Sequence, residues 1–151
     1  MTEGSITTLP PSGGFPLSGR NYKDPKRLYC RSGGHVLQLF PDGSVRGTQD
    51  RGDPHAVLKL QAVRAGVVVI RGVSTGLYLA MNDSGKLHGE QVSDECYFQE
   101  TLEENHYNSY RSEKFTEYGW YVGLKRNGKV KPGPKTAWGQ KAVLFLPLHM
   151  S

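Results

Sequence analysis

Short runs of alternating hydrophobic and polar residues, each followed by a glycine-containing turn, dominate the chain after residue 24. No window of a dozen residues has the apolar spacing of three and four that is typical of an amphipathic helix. Alternation is typical of half-buried β-strands, and the 19 glycines and nine prolines favour frequent turns. The pattern therefore predicts an all-β protein with many short strands.

One hairpin pattern occurs three times, at spacings of 42 and 43 residues. The copies are HVLQLFPDGSVRG from His35, LYLAMNDSGKLHG from Leu77 and WYVGLKRNGKVKPG from Trp120. Each copy has two alternating apolar residues, then a turn, then a third apolar residue. The turn carries a glycine at the same place in every copy, and glycine tolerates the positive φ that such turns need. These glycines are Gly43, Gly85 and Gly128.

A second apolar pattern also occurs three times, as AVLKL from Ala56, CYFQE from Cys96 and AVLFL from Ala142. The polar insertion EENHYNSYRSEKFTEYG accounts for the longer second spacing. Three units are too few for a propeller, which needs at least about four blades. They predict a β-trefoil of about twelve short strands, a barrel capped by three hairpins; chance similarity among glycine-rich hairpins is the alternative. Residues 1–24, rich in Pro, Gly, Ser and Thr, are expected to be a flexible tail, and 25–151 the trefoil domain.

The net charge of +5 is concentrated at one end of the chain. From Tyr118 to Ser151 there are six basic and no acidic residues, whereas the preceding 117 residues carry 13 basic and 14 acidic ones. A single-sign field repels itself, so this distribution predicts a surface that binds a polyanion. Nucleic acid is disfavoured, because Trp138 is the one aromatic side chain placed for stacking on bases. A merely solvated basic face is the other alternative.

Nothing in the sequence supports an enzyme or a cofactor. The stretch GVSTG at residues 72–76 fits the nucleophile-elbow pattern, but a strand pattern follows it where a helix is needed, so Ser74 is interpreted as a turn residue. The five histidines lack the spacing of a metal site. Cys30 and Cys96 are interpreted as buried, unpaired thiols.

Two further signals concern partners and location. Arg51, Gly52 and Asp53 form an RGD tripeptide, an integrin-binding motif when displayed on a loop tip; chance occurrence is the alternative. The first residues contain no signal-peptide core, and no stretch is apolar enough to enter a membrane. Taken alone, these absences predict a cytosolic or nuclear protein.

Several stretches resemble the acidic and basic fibroblast growth factors, with similarity from Gly4 to Leu148. They are KDPKRLYC, FPDGSVRGT, YLAMN, DECYF, LEENHYNSYRS, YVGLKRNGKVK and GQKAVLFLPL. The resemblance implies a secreted β-trefoil mitogen that binds heparan sulfate and activates receptor tyrosine kinases. It also implies export that bypasses the endoplasmic reticulum, presence in the cytoplasm and nucleus, and a monomer that dimerises receptors together with the glycan. An intracellular relative that binds a cytosolic or channel partner is the runner-up.

The resemblance also implies two sets of site residues. The heparin-binding set is Lys125, Arg126, Asn127, Lys131, Lys135, Gln140 and Lys141. The receptor-binding set is Tyr29, Glu103, Asn108, Tyr110, Leu146 and Leu148, in which the tyrosines are expected to be aromatic anchors. Packing inside the trefoil is the alternative for each of them. The chain departs from the family pattern at Ser32, Arg46, Gln49 and Pro132.

Overall fold

Ten short strands and six 3-10 helices make up the regular structure of residues 24–150, the part of the chain that the computed structural model describes. The strands are β1 Lys26–Cys30, β2 Val36–Leu39, β3 Val45–Thr48, β4 Leu58–Arg64, β5 Val67–Gly72, β6 Tyr78–Met81, β7 Leu87–Glu90, β8 Phe98–Leu102, β9 Asn108–Ser112 and β10 Phe145–His149. The 3-10 helices are Pro54–Ala56, Asp94–Cys96, Glu104–His106, Thr116–Tyr118, Gly133–Lys135 and Lys141–Val143. Apart from Asp24, the tail expected over residues 1–24 lies outside the described residues.

Six of the strands close into a barrel. β1 pairs with β10, β10 with β9, β9 with β8, β8 with β5, β5 with β4, and β4 returns to β1. All six pairings are antiparallel, so closure leaves none of these strands as a free edge. The apolar positions that face the interior of the barrel form the main core. A second, smaller cluster consists of Val63, Val67, Val69, Ala80 and Cys96.

Three hairpins cap one end of the barrel. β2 pairs with β3 and β6 with β7, each over four residues. The third hairpin is held by the isolated bridge between Leu124 and Val130, so its arms are not assigned as strands. This difference accounts for ten strands where about twelve were expected. The three-fold architecture confirms the prediction of a β-trefoil.

The hairpins are joined by three equivalent hydrogen bonds that the sequence reasoning missed. The carbonyl oxygen of each turn glycine accepts from the amide of a second glycine in another hairpin, over 2.7–2.8 Å. The pairs, acceptor first, are Gly43 with Gly89, Gly85 with Gly133, and Gly128 with Gly47. These second glycines also recur in the three copies, four or five residues after the first, and that spacing was the available signal.

The second repeated pattern corresponds to a 3-10 turn leading into a barrel strand. The helices Pro54–Ala56, Asp94–Cys96 and Lys141–Val143 precede β4, β8 and β10. Side chains cap two of them, because Asp53 accepts from the amide of His55 and Ser93 from that of Glu95. These two caps fix where β4 and β8 enter the barrel.

The remaining predictions about the fold concern individual residues. Cys30 and Cys96 are both free thiols at 0 % exposure, as predicted. Ser74 lies in the turn between β5 and β6, so the nucleophile-elbow context is missing. Within residues 24–150, no helix reaches the length and hydropathy of a membrane span.

Candidate heparin-binding and receptor-binding surfaces

The first basic cluster lies on the turn of the third hairpin. The amide of Lys125 donates to the carbonyl oxygen of Lys129 over 2.7 Å, and the amide of Gly128 donates to that of Lys125 over 2.9 Å. The side-chain oxygen of Asn127 accepts from the Lys129 amide over 3.0 Å, so Asn127 stabilises the turn. The side chains of Lys125, Arg126, Asn127 and Lys129 are all exposed. Lys129 was not in the predicted set, although its charge and position on the turn indicated it.

The second basic cluster lies on the connection from the third hairpin to β10. Thr136 fastens this segment, since its hydroxyl donates to the carbonyl oxygen of Gly133 over 2.6 Å and accepts from the Tyr121 amide over 2.9 Å. Gln140 closes the following turn through its side-chain oxygen, which accepts from the Ala137 amide over 3.1 Å. Lys135 and Lys141 are exposed, whereas Lys131 and Gln140 are half-buried.

Backbone hydrogen bonds bring the two clusters together. The Leu124 amide donates to the carbonyl oxygen of Ala142 over 3.0 Å, so Lys125 and Lys141 come from neighbouring backbone positions. The Lys131 amide donates to the carbonyl oxygen of Gly123 over 2.9 Å. Beneath this junction, the thiol of Cys30 lies 3.4 Å from the carbonyl oxygen of Ala142. Burial raises the pKa of that thiol, which favours its neutral form.

This basic surface, comprising the predicted heparin-binding residues and Lys129, carries uncompensated charge. Carboxylates pair with Arg64, through Glu113, and with Lys114, through Asp94 and Glu95, and none of these residues belongs to the basic surface. Within residues 24–150, none of the six lysine and arginine residues between positions 125 and 141 forms an ion pair. Their positive field is therefore directed to solvent, where it attracts anions.

Three of the predicted receptor-binding residues lie together on the paired strands β1 and β10. Tyr29 is the register partner of Leu146, and Arg27 is the partner of Leu148. These side chains are half-buried, on the face opposite to core residues such as Leu28. The guanidinium of Arg51 lies 4.9 Å from the ring centre of Tyr29, so a cation–π contact supports the ring. The surface combines an aromatic ring with apolar side chains, a composition typical of interface centres.

Tyr110 does not have the exposure that an aromatic anchor requires. It is 0 % exposed and belongs to the main core, which favours the alternative of packing inside the trefoil for its ring. Its hydroxyl donates to the Glu100 carboxylate over 2.8 Å. The amide nitrogen of Asn108 lies 3.4 Å from both the Tyr110 hydroxyl and Glu100. Tyr110 therefore positions Asn108, which remains half-buried at the end of the barrel.

Glu103, one of the predicted receptor-binding residues, also contacts the basic segment, residues 125–141. One carboxylate oxygen accepts from the buried hydroxyl of Ser109 over 2.7 Å, and the other accepts from the Trp138 indole over 3.3 Å. Trp138 and Leu102, both 72 % exposed, line a depression of about 270 Å³ together with Glu103. The sequence indicates Trp138 only as a candidate for stacking on bases and does not predict its contact with Glu103.

The RGD tripeptide is engaged within the chain. Asp53 accepts from the His55 amide over 2.7 Å through one oxygen and from the Gln38 side chain over 2.8 Å through the other. Arg51 is stacked on Tyr29. A partner that needs a free carboxylate at Asp53 must therefore displace two internal hydrogen bonds.

Comparison with known proteins identifies the family. A family model described as FGF, fibroblast growth factor, matches residues 24–146. The chain belongs to the fibroblast growth factor family. It is 53 % identical over 155 residues to fibroblast growth factor 2 from Bos taurus, covering 98 % of this chain and 97 % of the relative. It is 51 % identical over 153 residues to fibroblast growth factor 1 from Xenopus laevis, covering 100 % and 99 %.

Membership of the fibroblast growth factor family establishes the general class of activity. Fibroblast growth factors are mitogenic signalling ligands and not enzymes, and this chain is a growth factor of that family. The family acts outside the cell and binds receptors and heparin or heparan sulfate in general. The identities to the two relatives, 53 % and 51 %, are nearly equal, in agreement with the resemblance of the sequence to both the acidic and the basic members.

Proposed function

We propose that this chain is a secreted heparin-binding growth factor that activates fibroblast growth factor receptor tyrosine kinases with heparan sulfate as co-receptor. Receptor activation would promote proliferation, migration, differentiation and angiogenesis. In this proposal the protein is a monomer that brings two receptors together with the glycan. It leaves the producing cell by a signal-peptide-independent route and is also present in the cytoplasm and nucleus.

The observation that carries the proposal is the unpaired basic surface. Lys125 and Arg126 on the turn and Lys135 and Lys141 on the connection are exposed, and backbone hydrogen bonds hold the two segments against each other. Sulfates and carboxylates of a linear glycan accept charge-assisted hydrogen bonds from such groups. Binding also releases the glycan's condensed counterions, which makes the affinity depend on salt.

Neutralising three exposed cations tests the glycan site. In the variant Lys125→Gln, Arg126→Gln, Lys135→Gln, we expect elution from heparin at lower salt. Log affinity decreases with log salt, and the magnitude of this slope should become smaller by about 2–3, close to one for each lost contact. Isothermal titration calorimetry at several salt concentrations measures this slope.

A matched control separates a defined site from a general charge effect. Lys59→Gln, Arg71→Gln, Lys86→Gln removes the same charge from exposed positions in the first two repeats. This control should keep nearly the whole slope of the unmodified chain. Equal losses in the two triple variants would contradict a glycan site on the third hairpin.

The surface formed by Tyr29, Leu146 and Leu148 is proposed to bind the immunoglobulin-like receptor ectodomain. Support comes from its strand register and from its aromatic and aliphatic composition. Asn108 and Glu103 are proposed to form its polar border, with Tyr110 acting from below. Transfer of conditioned medium to receptor-bearing cells separates this function from that of an intracellular relative, because only a secreted ligand would activate them.

An integrin contact through Arg51 and Asp53 is a minor proposal. The side chains are already bound to Tyr29, His55 and Gln38, and those contacts oppose it.

A further inference from the structure

A histidine and two glutamates converge on the second hairpin, away from the basic segment in sequence. His88 and Glu90 lie two residues apart on β7, so their side chains share one face of the strand. Glu95 comes from the 3-10 helix Asp94–Cys96 that follows. One ligand atom from each of the three lies within 4.8 Å of the others. His88 Nε2 is 2.7 Å from Glu90 Oε1 and 3.9 Å from Glu95 Oε1.

These distances suit a shared cation. Ligands at the usual Zn–N and Zn–O lengths of about 2.1 Å stand about 3.4 Å apart around a tetrahedral ion. The two distances from His88, 2.7 and 3.9 Å, bracket that spacing, and the two glutamate oxygens lie within 4.8 Å of each other, so adjustments of at most about 1.5 Å would bring the three atoms to it. The three side chains are 21–29 % exposed, which limits their rotation while leaving a path from solvent.

Neighbouring groups orient two of the ligands. The Ser93 hydroxyl donates to the Oε2 atom of Glu90, leaving Oε1 directed at His88. Without an ion, His88 Nε2 donates to Glu90 Oε1 over 2.7 Å, and a bound cation would replace that proton. His88 Nδ1 lies 3.5 Å from the carbonyl oxygen of Lys86, which could accept the Nδ1 proton of the metal-bound tautomer. Such outer contacts are typical of metal-binding histidines and carboxylates.

The charge balance around the cluster favours a divalent ion. Glu90 contributes one carboxylate, whose Oε2 atom accepts from the Ser93 hydroxyl. Asp94 and Glu95 add two further carboxylates. The facing cation is Lys114, whose ammonium lies 3.1 Å from Asp94 and 3.8 Å from Oε2 of Glu95. Lys114 therefore leaves Oε1 of Glu95 for the ion.

We propose that His88, Glu90 and Glu95 form a binding site for a Zn²⁺-class divalent cation, independent of the glycan and receptor surfaces. One imidazole and two carboxylates match the preferences of Zn²⁺ and Co²⁺, whereas Ca²⁺ and Mg²⁺ prefer ligand sets made only of oxygen. Three protein ligands leave at least one position for water. The site would tie β7 to the turn that precedes β8.

Titration of the full chain with Co²⁺ and Zn²⁺ tests the site directly. We expect one saturable Co²⁺ site whose visible absorption indicates four- or five-coordination without a thiolate band, and Zn²⁺ should displace it. Calorimetry should give one Zn²⁺ per chain and no saturable binding of Ca²⁺. His88→Gln, and separately Glu95→Gln, should weaken Zn²⁺ binding by at least about tenfold, and Ser93→Ala by about tenfold.

Two further variants make the result specific. His106→Gln removes an exposed histidine from another loop and should leave the affinity unchanged. Lys114→Gln removes the competing cation and should strengthen binding severalfold. Equal Zn²⁺ affinity in the unmodified chain, His88→Gln and Glu95→Gln would overturn the proposal, as would a strong thiolate band that assigns Cys96 as a ligand. Thermal unfolding in EDTA checks that each variant is folded. If one of His88→Gln and Glu95→Gln does not fold, the other still tests the site.

Discussion

Substituting Gly85 by alanine tests the hydrogen-bonded contact between hairpins that positions the basic segment. Gly85 has φ +83°, and its carbonyl oxygen accepts from the Gly133 amide over 2.8 Å. A Cβ atom at this position would stand 2.3 Å from Cδ of Pro134 and 3.1 Å from the Gly133 amide nitrogen. Neither group can rotate away, because the first belongs to a proline ring and the second to the backbone. The hairpin and the Gly133–Lys135 helix must therefore separate.

The magnitude follows from two effects. A left-handed backbone costs a residue with Cβ about 1–2 kcal/mol, and forcing an extra carbon into a packed contact costs about 1–3 kcal/mol more. Gly66 isolates the first effect, since it has φ +77° and no atom within 4 Å of its virtual Cβ. Gly85→Ala should therefore lower the free energy of unfolding by about 2 kcal/mol more than Gly66→Ala does.

Thermal and urea unfolding, followed by tryptophan fluorescence, measure the difference. For a domain of this size, about 2 kcal/mol corresponds to a further fall in Tm of about 4–8 °C. Gly85→Ala should also weaken heparin retention more than Gly66→Ala, because it displaces the helix that carries Lys135. Equal destabilisation by the two substitutions would refute the steric reasoning.

Two further predictions concern titratable groups. Burial raises the pKa of the thiols of Cys30 and Cys96, so both should react slowly with a disulfide reagent at pH 8 and quickly in denaturant; fast labelling of the native chain would contradict this. The folded pKa of Glu90 is lowered, so its stabilisation is present above the ordinary carboxyl pKa and is lost as pH falls through the lower folded value. Without added metal ion, Glu90→Gln should therefore be less stable than the unmodified chain near pH 7. The difference between their free energies of unfolding, measured with urea, should disappear on acidification. A difference that does not depend on pH would contradict this prediction.

The three-fold fold could be predicted because each repeat carries its own signals. Leu79 and Met81 alternate before a turn whose glycine needs a positive φ, and both side chains are fully buried. The contact between Gly85 and Gly133 could not be inferred in the same way, since it joins separate hairpins. Local alternation indicates which residues share a face, but it does not identify the partner element.

The basic surface could be predicted from the sequence more completely than the receptor-binding surface, for a related reason. Charge density locates the basic segment directly, because exposed lysine and arginine need no packing argument. Alternation in NSYRS places Asn108 and Tyr110 on one face, but only the closed barrel shows that this face turns inward and buries the tyrosine. The engagement of Asp53 by Gln38 is likewise a contact between segments distant in sequence.

Binding of the full chain to an immobilised fibroblast growth factor receptor ectodomain, with and without heparin, tests the central proposal most directly. We expect saturable binding that heparin strengthens. Tyr29→Ala, which removes the aromatic ring of the proposed receptor surface, should weaken binding at least about tenfold. Tyr118→Ala, which removes a tyrosine that is 61 % exposed in another loop, should bind normally. Retention on heparin without receptor binding, or equal binding by both tyrosine variants, would contradict the proposed receptor surface.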